Sequence, residues 1–254
     1  MELQRSNDGP MRLLIPAYFP PGAEWGVMRA AAGAVGMVIL NPASGPGEGA
    51  SDAYRTVADA LRGAGIEVMG YVDTSYGARG AAVVLSEVEQ HRLWYDVDGV
   101  FFDQVSADTS LVVHHRRLAD DARALGCRRV VMNTGVVPPA GPAVAELMDA
   151  ADVIVLADND AGAYLDMPVV TDWTRHYPPA RFAHLVYGAP DIASMTAVVA
   201  TARAHGVGWV FATPLPVARL RSGAVAPHPW AGLPGADYWA KLLAAVAGNV
   251  PPGA

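Results

Sequence analysis

The chain has a single cysteine, Cys127, so no internal disulfide can form and its thiol content gives no sign of an oxidising compartment. Charge is sparse as well. Only 17% of residues are Asp, Glu, Lys or Arg, the net charge is -7, and there is no run of Lys or Arg. That surface excludes the basic stripe that nucleic acid or an anionic membrane needs, and it accommodates a neutral or cationic partner more easily. No apolar stretch is long enough to span a bilayer. The opening MELQRSNDGPMR lacks the apolar centre of a signal peptide. Read as written, the chain is expected in the cytoplasm, and in the secreted fraction if a leader has been removed.

Metal and nucleophile signatures are also missing. His114 and His115 are adjacent in a helical stretch and point in different directions. His176, His184 and His205 show no ligand spacing, and no Gly-x-Ser-x-Gly elbow occurs. SGPGEG, from Ser44 to Gly49, has neither the dinucleotide spacing nor a Gly-Lys-Ser/Thr, and Pro46 removes an amide that a phosphate cradle would use. It reads as a shaped substrate loop. No metal or cofactor is expected.

What is present is apolar and regular. Of 254 residues, 52% are hydrophobic. The run VDGVFFDQ, Val97 to Gln104, is short, β-favouring, opened by Asp98-Gly99 and halted by Asp103, as a strand buried on both faces would be. Seven similar runs accompany it: Met11–Tyr18, Val35–Asn41, Ile66–Asp73, Arg128–Asn133, Asp152–Asp158, Arg181–Tyr187 and Val207–Thr213. Helical stretches follow at Glu24–Ala32, Asp52–Gly63, Ala81–Trp94, Leu111–Leu125, Pro142–Ala150, Ile192–His205 and Asp237–Ala247, with only a weak one near Tyr164. Strand alternating with helix predicts a parallel sheet with right-handed crossovers. Eight units in this length predict an α/β fold, a single (β/α)8 TIM barrel over residues 11–250 behind a polar tail at 1–10. Cys127, at the start of a strand, is expected to be a small buried hydrophobe.

Barrel enzymes build their sites on the loops at the C-terminal ends of the strands. Those ends are polar here: Tyr18, Asn41, Tyr71 with Asp73, Asp103 with Gln104, Asn133, Asp158, Tyr187 and Thr213. Together they predict a cleft that grips hydroxyl groups, with Trp25, Tyr76, Trp173 and Trp230 near enough to stack on sugar rings or to cover the rim. Asp103 and Asp158 are the candidate acids, since glycoside hydrolysis needs one group to protonate the leaving oxygen and one to act at the anomeric centre. Gln104 would face the helices in a regular strand and reaches the mouth only if the backbone breaks there.

The pieces LLIPAYFPPGAEW, VILNPASGPG, GYVDTSYG, DGVFFDQ, VVMNTGVVP and ADVIVLAD resemble, in order, the spherulin-4-like (spherulation-specific) family. The resemblance implies a (β/α)8 glycoside hydrolase fold and an endo-acting enzyme on α-1,4-linked galactosamine or N-acetylgalactosamine polymers. It implies catalytic roles at Asp103, Gln104 and Asp158, although the family's second carboxylate is an amide at Gln104 and its strand-six Glu is the shorter Asp158. Tyr18, Asn41, Tyr71, Asp73, Tyr76, Asn133, Trp173 and Tyr187 are the candidate substrate contacts. Two other readings stay open: a barrel that binds glycan without cutting it, and one recruited to small-molecule chemistry such as a cyclisation or isomerisation.

Overall fold

The computed structural model describes residues 10–168, 172–217 and 228–248. Nearly all of the expected polar tail and the last two residues of the expected barrel domain lie outside them, as does the middle of the loop after the eighth strand. Eight parallel strands close on themselves in sequence order. They are β1 (Arg12–Ala17), β2 (Val35–Leu40), β3 (Glu67–Asp73), β4 (Gly99–Asp103), β5 (Arg129–Asn133), β6 (Val153–Asp160), β7 (Phe182–Tyr187) and β8 (Trp209–Ala212). Closure comes from β1 against β8, with Arg12 opposite Trp209 and Leu13 opposite Val210. The surrounding helices are α1 (Ala23–Ala30), α2 (Asp52–Gly63), α3 (Ala81–Tyr95), α4 (Val112–Ala124), α5 (Pro142–Ala150), α6 (Ala161–Leu165), α7 (Ile192–Ala204) and α8 (Ala236–Val246). The chain is a (β/α)8 barrel.

The strands are buried on both faces, as their unbroken apolar runs require. Side chains alternate, so Phe101 points inward, its ring 6.3 Å from that of Tyr71 on the neighbouring strand, while Val100 and Phe102 face the helices. Gly70 sits where α3 comes closest to the sheet. A Cβ there would lie 2.6 Å from the His91 ring, and that approach lets His91 Nε2 bond the Tyr71 carbonyl at 2.8 Å. Cys127 is buried, and burial pushes its thiol up to about 11, so it behaves as a packed apolar side chain.

The N-terminal end of the barrel is tied by ions. Asp98, ahead of β4, accepts the Val68 amide at 2.9 Å and pairs with Arg128. Asp152, ahead of β6, accepts the Val130 amide at 2.7 Å and pairs with Arg123 at 3.2 Å. Glu67 takes both arms of Arg129, at 2.6 and 2.9 Å.

Strand six departs from expectation. It runs two residues beyond Asp158, to Asp160, and its pairing with β7 slips between Val155 and Ala157. The slip is a bulge, which re-aims the side chains beyond it. Asp160 then caps α6, accepting the Gly162 amide at 2.9 Å, and that helix is only five residues long. No helix among the described residues is long and apolar enough to cross a membrane.

Candidate active site at the barrel mouth

Three adjacent strands bring the acids together. Asp103 ends β4, Asn133 ends β5, and Asp158 stands near the end of β6. The Asn133 side-chain nitrogen donates to Asp103 Oδ1 at 2.8 Å and to Asp158 Oδ2 at 2.9 Å. Its oxygen accepts the Gly135 amide at 2.9 Å, which fixes the orientation of the carboxamide. The second oxygen of Asp103 accepts the Tyr71 hydroxyl at 2.8 Å. Among the described residues no Arg or Lys pairs with either acid.

Burial is the main reason that the Asp158 carboxyl is pushed up to about 6. The charge of Asp103 adds to the rise and the Asn133 hydrogen bond opposes it. Burial, then the same Asp103 charge, holds the hydroxyls of Tyr18 and Tyr71 well above the usual phenol range. Both phenols are therefore donors at any ordinary pH.

Two cavities meet over the acids, and Asp103 and Asp158 line both. One, of about 180 Å3, is walled by Tyr76, Gln104, Asn133, Thr134 and Gly135. The other, of about 310 Å3, is walled by Tyr18, Tyr187, Val217, His228, Pro229 and Trp230. The aromatic wall is knit across the mouth: Tyr18 lies 5.2 Å from Tyr71 and 5.1 Å from His228, and Tyr187 lies 6.0 Å from Trp230. The Tyr18 amide donates to the Trp230 carbonyl at 3.1 Å, joining the end of β1 to the loop after β8.

Several expected contacts are elsewhere. Asn41 does not line either cavity, because its side-chain oxygen accepts the Gly45 amide at 2.9 Å and closes its own loop. Asp73 is likewise turned onto its own loop by the Ser75 amide at 2.7 Å and hydroxyl at 2.9 Å. Trp173 is 8% exposed, packs 5.8 Å from Phe182 and donates to the Pro138 carbonyl, so it covers the barrel wall. Trp25 is buried against Phe19 in the same manner. Thr213 is fully buried, leaving the ring of strand ends incomplete. Gln104 does reach the mouth, through a left-handed φ of 51° that breaks the strand.

A family model for spherulation-specific family 4 (Spherulin4) matches residues 12–246. The chain belongs to that family. Spherulin-4 of Physarum polycephalum is 29% identical over 185 residues, which make up 71% of this chain and 54% of that protein. The chain thus spans about half the length of that relative. Among solved structures, Aspergillus clavatus Sph3 in complex with GalNAc is similar with a TM-score of 0.72 at 20% identity, covering 94% of this chain and 98% of that one. A class V chitinase from Pseudomonas fluorescens Pf-5 has a TM-score of 0.61 at 10% identity, covering 94% and 100%. A chitinase from Chromobacterium violaceum has 0.58 at 14%, covering 93% and 99%. At these identities the likeness is one of fold, the (β/α)8 barrel.

Reading the strand ends alone passes over part of this family member's mouth. Thr134 and Gly135 lie just past β5, and the Asn-Thr-Gly turn was the available signal. His228 and Pro229 come from the loop after β8, where His-Pro-Trp stands out in a stretch otherwise poor in aromatics.

Proposed function

We propose that this family member is a glycoside hydrolase that cuts α-1,4-linked galactosamine or N-acetylgalactosamine glycan internally. The observation that carries the reading is the Asn133 amide, which holds Asp103 and Asp158 on one nitrogen where two cavities meet. Sugar units in both cavities would lay the bond between them over the acids. Asp158, with its carboxyl near 6, is the proton donor to the leaving oxygen. Asp103, oriented by Tyr71 and Asn133, acts at the anomeric centre.

A shared amide nitrogen limits the nearer carboxylate oxygens to two hydrogen-bond lengths apart. Enzymes that place a water between their carboxyls hold them roughly 6.5–9.5 Å apart. The closer spacing supports retention of anomeric configuration, by direct attack of Asp103 or by an acetamido group that it steers. The ligand in the Sph3 structure supports an amino-sugar substrate, and the low charge of this chain supports a neutral or cationic glycan over a polyanion.

The test is reducing-end release from α-1,4-galactosaminoglycan, with the anomer of the first product read by NMR. Release of the α-anomer, lost in Asp103→Asn and Asp158→Asn, supports the proposal, and a β-anomer product refutes the retaining geometry. The neutral Gln104 in the mouth favours a second reading, glycan binding without cleavage. Oligomer binding by calorimetry with no release at any pH would establish that alternative.

A further inference from the structure

Asp158 faces the mouth only because β6 carries an extra residue. Paired residues on adjacent parallel strands share a face, and Asn133, whose side chain meets both acids, is paired with Val155. Val155 therefore faces inward. Regular alternation from there would turn Asp158, three residues on, toward the helices. Instead Val155 pairs with Ala183 and Ala157 with the next residue, His184, so that the ladder passes over Leu156. The extra residue restores the phase. Ala157 then lies on the helix side, where its partner His184 bonds Tyr164 of α6, and Asp158 lies inward opposite Leu185.

The bulge needs its own anchor, because the ladder between β5 and β6 ends at Asn133 and Val155. The turn after β5 supplies it. The Val155 carbonyl accepts the Gly135 amide at 3.2 Å and the Thr134 hydroxyl at 2.9 Å, and the Gly135 carbonyl accepts the Asp158 amide at 3.3 Å. Two residues of one turn thus clamp the bulge at both ends. Gly135 reaches both points through a left-handed φ of 64°, which glycine adopts without strain. Thr134 is buried, and its hydroxyl also lies 2.7 Å from the Val136 carbonyl, so one proton ties the turn to itself and to the strand. An aspartate has a single methylene between backbone and carboxyl, so any shift of this clamp is passed to the acid.

We propose that Thr134 is a positioning residue, which with Gly135 fastens the Leu156 bulge and so sets the Asp158 carboxyl beside Asp103. The inference deepens the glycosidase reading and rests on it for the catalytic consequence, but its main readout requires no bond cleavage. Thr134→Val keeps the shape and removes the hydroxyl, and Thr134→Ser keeps the hydroxyl. Gly135→Ala places a Cβ 3.8 Å from that of Asp158, an ordinary contact, so it acts by opposing the left-handed backbone. In each variant the titration of Asp158 is followed by carboxyl 13C NMR on aspartate-labelled protein, the signal being assigned with Asp158→Asn. Thermal melting checks the fold.

Wild-type Asp158 is expected to titrate near 6, held there chiefly by burial. Freeing the end of β6 lets water reach the carboxyl, so Thr134→Val and Gly135→Ala lower that value by about one pH unit, while Thr134→Ser leaves it in place. In reducing-end release, Thr134→Val lowers kcat about tenfold with KM little changed, and Thr134→Ser restores it. A lower melting temperature with the Asp158 titration unmoved marks a merely structural contact and overturns the proposal. Polymer cleavage is scored separately. Cutting with an unmoved titration defeats this inference and leaves the hydrolase reading intact, and a moved titration without cutting does the reverse.

Discussion

Strands β4 and β6 each have an aspartate at both ends, and the two ends are wired in opposite ways. At the N-terminal end Asp98 and Asp152 each meet a backbone amide and an arginine. At the C-terminal end Asp103 and Asp158 share one neutral carboxamide and, among the described residues, have no cation. A carboxylate with a matched cation and amide is satisfied, and it serves to hold chain segments together. Two carboxyls crowded around one amide stay available for chemistry, and burial leaves one of them near 6. In this barrel the local wiring separates an acid that holds the fold from one proposed to work on a ligand, because residue type and position at a strand end are the same for both.

The sharpest break in the comparison is catalytic. Asp103→Asn keeps the size and the Tyr71 contact but removes the charge that the proposed function places at the anomeric centre. Reducing-end release is expected to fall by about a thousandfold or more, with a melting temperature close to wild type. At the other end of the same strand the pattern inverts. Asp98→Ala strands the buried Val68 amide and is expected to cost about 2–3 kcal/mol in urea unfolding. Its kcat/KM, measured well below the melting transition, stays within about twofold of wild type. Equal loss of activity in both variants would erase the distinction between the ends.

Asp158 gives a smaller effect with a definite sign. Its folded carboxyl is raised from 3.8 to about 6, so the contribution that favours folding is fully present below about pH 4 and is lost as pH rises through 6. Asp158→Asn removes that loss. The variant is expected to be more stable than wild type by about 1–2 kcal/mol at pH 7.5, with the gain vanishing near pH 4, in melts across pH. Wild-type kcat should fall above about pH 6 as the proton donor ionises. A gain that persists at pH 4 would show that ionisation is not its source.

The smallest effect separates two aromatic neighbourhoods. His228 lines the larger cavity and Trp173 packs on the barrel wall. His228→Ala is expected to raise KM roughly fivefold with little change in kcat, while Trp173→Phe leaves KM unchanged and lowers stability by about 1 kcal/mol. A KM effect from Trp173→Phe would return it to the substrate contacts.

Much of this arrangement was readable in advance, for a reason particular elements show. VGMVIL and GVFFD are apolar on both faces, so a parallel strand was their only economical fate, and the acid ending the second had to emerge at the mouth. Asn41 and Asp73, expected as ligand contacts, bond their own loops, because the same short polar side chains also satisfy backbone amides in tight turns, and only geometry separates the two uses. Trp173 is a related case: a large aromatic near a rim can face either way, and this one packs against Phe182. His228 was passed over because its loop has no periodicity to place it.

The sequence by itself determined the strand count, the closed order, and the presence of Asp103 and Asp158 at the C-terminal mouth, since these follow from local burial patterns and chain direction. Tertiary structure alone decided which acids lack cations, which aromatics face the cavity, and that Gln104 turns inward. Those outcomes depend on contacts such as Asn133 with Asp103 and Asp158, 30 and 25 residues away along the chain. They depend also on a backbone strain that neighbouring loops must hold, and no local pattern of residues encodes either.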